Sequence, residues 1–74
     1  MQSYVADIWP EGDWWLAKIV SAAKGSNPSP IGHVAMGLTP SEAKFTARDL
    51  VKALLGSDDV IVYSQMRPYR AKEK

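Results

Sequence analysis

The sequence predicts an α+β domain of order β-β-β-α-β, a small antiparallel sheet with one helix packed on a face. Three observations carry that expectation. Residues 4–20 alternate apolar and polar side chains about a glycine-containing turn, residues 40–55 show helical periodicity between two capping signals, and residues 60–66 are β-branched and aromatic.

The first segment, YVADIWPEGDWWLAKIV, reads as one hairpin. Two apolar runs flank Pro10-Glu11-Gly12-Asp13, and Gly12 supplies the backbone freedom of a tight turn. Pairing Trp9 with Trp14 sets Ile8 opposite Trp15, Asp7 opposite Leu16, Ala6 opposite Ala17 and Tyr4 opposite Ile19. Because side chains alternate along a strand, one face carries Tyr4, Ala6, Ile8, Trp15, Ala17 and Ile19 and is the expected core. The other carries Val5, Asp7, Trp9, Trp14, Leu16 and Lys18. That face is half wet yet holds two tryptophans and a leucine.

Residues 21–30, SAAKGSNPSP, form a loop punctuated by Gly25, Pro28 and Pro30. Residues 31–37 make a third strand, too short for a helix. Thr39 is an N-cap, Pro40 suits the first helical position, and Glu42 completes a capping box. Gly56 stands where a helix stop belongs. Between them Ala43, Ala47, Leu50, Val51 and Leu54 form one stripe, flanked by Thr46 and Ala53. Its small residues lie in the N-terminal half, which lets the first turns approach a sheet closely. Phe45 falls on the far side with Lys44, Arg48, Asp49 and Lys52. It reads either as a ring folded over a neighbouring side chain or as a contact to another chain. Ser57-Asp58-Asp59 is a turn, residues 60–66 form the fourth strand, and Pro68 ends it. A helical crossover lets this last strand lie beside the first.

Seventy-four residues make one domain, expected over residues 1–66, with a basic tail over 67–74. The 46% apolar content argues against disorder. A chain this short buries a modest core, and dimerisation is a natural way to bury more. Without cysteine it has no disulfide or thiolate metal site. No apolar run is long enough to span a membrane and no signal peptide opens the chain, so the cytoplasm is the expected compartment. The net charge of +1 hides an asymmetry. The tail holds Arg67, Arg70, Lys72 and Lys74 against Glu73 alone, so the body is slightly acidic. The tail reads as a solvated terminus or as an arm that touches phosphate or an acidic partner.

Chemistry-bearing patterns are sparse. His33 is the single histidine, too little for a metal site in a chain without cysteine. No phosphate-binding glycine loop precedes the helix and no serine occupies a nucleophile elbow. The expectation is a binding module that is not an enzyme and uses no cofactor or metal.

Over nearly its whole length the chain resembles the N-terminal domain of the HicB-like antitoxin family. Tyr4, Ala6, Ile8, Glu11-Gly12-Asp13, Trp15 and Ala17 match that family's opening hairpin, and Gly37, Thr39, Glu42, Ala43, Ala47, Arg48 and Asp49 match its helix pattern. The loop before the third strand departs from it, keeping Gly32 alone. The resemblance implies a ribonuclease-H-like or double-stranded-RNA-binding-like sheet with one helix. It also implies neutralisation of a small HicA-type mRNA-cleaving toxin. Full antitoxins carry a further DNA-binding domain, which is not expected here. Residues 11–17 also look like the tryptophan strand of SH3 domains, but only over those seven residues, and a long capped helix has no place in that fold.

Trp9, Trp14 and Leu16, with Phe45 as a further candidate, are therefore the expected partner-binding residues. Trp9 and Trp14 read equally as a cross-strand pair that merely stabilises the hairpin. The alternative function is a small RNA-binding module using Arg67, Arg70, Lys72 and Lys74, or an inhibitor of a host protein carried by a virus or mobile element. The tryptophan face could also be a self-interface that makes a homodimer.

Overall fold

The hairpin closes more tightly than a Trp9–Trp14 pairing requires. In the structure, a computed structural model that describes residues 1–66, strands β1 (Gln2–Glu11) and β2 (Trp14–Ala22) are joined by Gly12 and Asp13 alone. Gly12 adopts φ 62°, the left-handed conformation such a turn needs. Pro10 therefore lies within β1, opposite Trp15, and Trp9 faces Leu16 while Glu11 faces Trp14. This corrects the expected register by two residues. An even shift leaves every side chain on its expected face. A bulge between Val5 and Ala6 leaves Val20 as the extra residue on β2, so Tyr4 faces Ala22 rather than Ile19.

Residues 31–33 are not strand. Pro30 is buried, Gly32 turns through φ 98°, and the His33 N–H donates to the Pro30 carbonyl at 3.1 Å. Of the expected third strand, Val34–Gly37 form β3 beside β2, while the Gly32 N–H donates to the Ile19 carbonyl and the His33 carbonyl accepts the Ile19 N–H. The preceding loop seals one end of the core. The Tyr4 hydroxyl donates to the Asn27 carbonyl at 2.6 Å, and the Asn27 N–H donates to the Gln2 side chain at 2.7 Å.

Helix α1 (Pro40–Leu55) occupies its expected span. Thr39 Oγ1 accepts the Glu42 N–H at 3.0 Å, and Gly56 closes the other end at φ 65° with its N–H donating to the Lys52 carbonyl. The reciprocal half of the capping box is displaced by one residue, because the Glu42 carboxylate accepts the Leu38 N–H. Ala43, Ala47 and Val51 are fully buried and Leu55 packs against the core, whereas Leu54, expected in the stripe, is exposed. The contact line therefore drifts around the helix towards its C-terminus. Close approach explains the small residues: a Cβ on Gly37 would lie 2.5 Å from the Ala43 nitrogen.

Strand β4 (Val60–Met66) returns beside β1, giving the order β3-β2-β1-β4. β1, β2 and β3 are antiparallel in sequence, while β4 runs parallel to β1, so the sheet is mixed. The helix brings the chain back to the end where β1 begins, as a crossover between parallel strands does. Among the described residues this ladder runs from Gln2 and Val60 to Ile8 and Met66. The core lies between α1 and one sheet face, and joins Tyr4, Ala6, Ile8, Ala17 and Ile19 to the helix and to Val60 and Val62. No helix among the described residues is long and apolar enough to cross a membrane.

Candidate functional site

One helix covers one face of a four-stranded sheet, and among the described residues the other face has no layer upon it. Alternation turns Trp9, Trp14 and Leu16 to that open face, together with Val34 and Met36 from β3 and Tyr63 from β4. The register arranges them in rows. Trp9, Leu16 and Met36 are consecutive cross-strand neighbours over three strands. Trp14 lies one row nearer the hairpin turn, opposite Glu11. The next row on the other side is polar. Gln65 donates to the Asp7 carboxylate at 2.7 Å, and Asp7 faces Lys18, which faces Val34. Beyond it Tyr63 pairs with Val5.

Exposure separates these residues. Trp14 is 44% exposed, Met36 49% and Tyr63 56%, whereas Trp9 and Leu16 are half-buried between neighbouring strands. Trp9 Nε1 donates to the Glu11 carboxylate at 3.1 Å, which ties the ring to the turn. The two tryptophans are not direct cross-strand partners as expected but diagonal neighbours on the same face.

Phe45 does not join this site. It lies on α1, on the opposite side of the sheet, 58% exposed with the Arg48 guanidinium 5.7 Å from its ring centre. That placement matches a ring covered by its neighbour, with a cation–π contact. Arg67, Arg70, Lys72 and Lys74 lie outside the described residues. Sequence reasoning missed Val34, Met36 and Tyr63. Their alternation was readable, but only the strand order brings them beside the hairpin.

The electrostatics favour one sign. Residues 1–66 contain seven carboxylates against five lysine and arginine side chains, a net charge of −2. Three of those carboxylates, Asp7, Glu11 and Asp13, belong to the hairpin strand and turn that carry the tryptophans. Among the described residues no group of three or more His, Cys, Asp or Glu side chains is placed to hold a metal ion. His33 is exposed, with Nδ1 3.2 Å from the Pro30 carbonyl. Compared with protein-family models, curated proteins and solved structures, the chain matches none.

Proposed function

We propose that the protein is a non-enzymatic protein-binding module of the HicB-like antitoxin kind. It works in the cytoplasm and seats a small basic HicA-type toxin on the open sheet face. The observation that carries this reading is the apolar row Trp9, Leu16 and Met36, with Trp14 beside it, on the sheet face opposite the helix. A large contiguous apolar surface is uncommon on a monomer and marks a contact site. Exposed tryptophan is the side chain best suited to anchor such a contact. The acidic turn beside it favours a basic partner and speeds the encounter.

The hairpin and helix motifs shared with the HicB-like family support the choice of toxin. The helix row Lys44, Arg48 and Lys52 is a weaker platform for RNA, because Asp49 and Glu42 interrupt it. The test is a binding titration of a HicA-type toxin with the wild-type chain and with Met36→Glu. The substitution puts a carboxylate in the centre of the row at an exposed position. Binding should fall at least tenfold while the unfolding midpoint stays within a few degrees. Undiminished binding by Met36→Glu refutes the open face as the site.

A further inference from the structure

We infer that β4 is a self-association edge, along which two copies join antiparallel about a two-fold axis at Tyr63 to make one continuous sheet. Among the described residues the order β3-β2-β1-β4 leaves two edges, and they are unequal. β3 has four residues, confined between the Gly32 turn and the start of α1. β4 has seven, VIVYSQM, with no charge, proline or glycine among them, and its last four residues are exposed. Sheet edges are ordinarily blunted by shortness, charge or proline, and within its span β4 has none of these.

The backbone shows which groups are on offer. The Gln2 N–H donates to the Asp59 carbonyl at 2.9 Å. Alternate residues in a parallel ladder point the same way, so Ile61, Tyr63 and Gln65 turn towards β1. Val60, Val62, Ser64 and Met66 then turn their N–H and C=O groups outward. An axis at Tyr63 pairs Val62 with Ser64 and Val60 with Met66, engaging all four outward residues. The Val60 N–H already donates to the Asp58 carbonyl, which leaves about six bonds between the copies.

The side chains fit the same register. Tyr63 meets its own copy at a non-hydrogen-bonded position, where side chains approach most closely and an aromatic pair is favourable. The open faces of the two copies become one face with two copies of the tryptophan row.

Sedimentation equilibrium of the full chain through the micromolar range tests this. The wild type should have twice the 8.2 kDa chain mass. Tyr63→Lys sets like charges opposite each other, and Ser64→Pro removes an outward N–H that the β1 ladder does not use. Both should give 8.2 kDa with a wild-type circular dichroism spectrum. Met36→Lys, on the open face but far from this edge, should remain a dimer. Should Tyr63→Lys fail to fold, Tyr63→Cys decides, since a chain without other cysteines should oxidise to a covalent dimer. A wild type of single-chain mass overturns the inference. So does a dimer that survives Ser64→Pro and Tyr63→Lys, or one that Met36→Lys dissociates.

Discussion

Trp14 and Tyr4 show how differently two aromatic residues of one hairpin can serve. Tyr4 is 1% exposed and its hydroxyl holds the 21–33 loop through the Asn27 carbonyl. Tyr4→Phe keeps the ring packed but removes that bond, and should cost about 1 kcal/mol in a urea unfolding titration. Burial raises the Tyr4 phenol above its ordinary pKa of 10.0. The folded state thus favours the neutral form. Its contribution to stability is complete below the unfolded value and is lost as pH rises through the folded one. Unfolding experiments across that alkaline range should show falling stability in the wild type and a weaker fall in Tyr4→Phe. Trp14 is half in water, so Trp14→Ala should change stability by less than about 1 kcal/mol. If it anchors a partner, the same change should weaken the complex by about 2 kcal/mol, roughly thirtyfold. Equal losses in the two measurements would assign Trp14 a structural role.

At the scale of elements, the most constrained junction is where β3 turns into α1. Gly37 is buried, with backbone rather than flexible side chain at the distance its missing Cβ would need. Gly37→Ala must push the first turn of the helix off the sheet and should cost about 1–3 kcal/mol. Thr39→Ala, which removes only the cap bond to Glu42, should cost about 1 kcal/mol. A thermal series that ranks the two the other way would place the constraint in the cap. The helix was legible in the sequence because its signals are local: Thr39 and Gly56 fix its ends whatever surrounds them. The hairpin was legible in its faces but not its register. Pro10 reads as a turn residue, and nothing local says that it continues β1 opposite Trp15. The short β3 escaped for a similar reason, since tertiary burial of Pro30 makes residues 31–33 a turn.

At the scale of the whole molecule, the described residues form a sheet with a helix on one side only. Which residues share the open face depends on the strand order, which comes from non-local pairing. Trp9, Trp14 and Leu16 could therefore be chosen from the hairpin alone, whereas Met36 and Tyr63 could not. Phe45 was singled out because it broke the helical pattern, and it sits across the sheet from the others. The central claim is that the open face binds a protein through its tryptophan row. Affinity retention by the tagged chain, wild type beside Trp14→Ala, tests this most directly when run from the native lysate with and without nuclease and with added salt. The account predicts that the wild type holds a small basic protein after nuclease treatment, and that Trp14→Ala loses it while its unfolding midpoint is unchanged. Equal retention by both proteins would contradict it, as would recovery of nucleic acid alone, released at moderate salt.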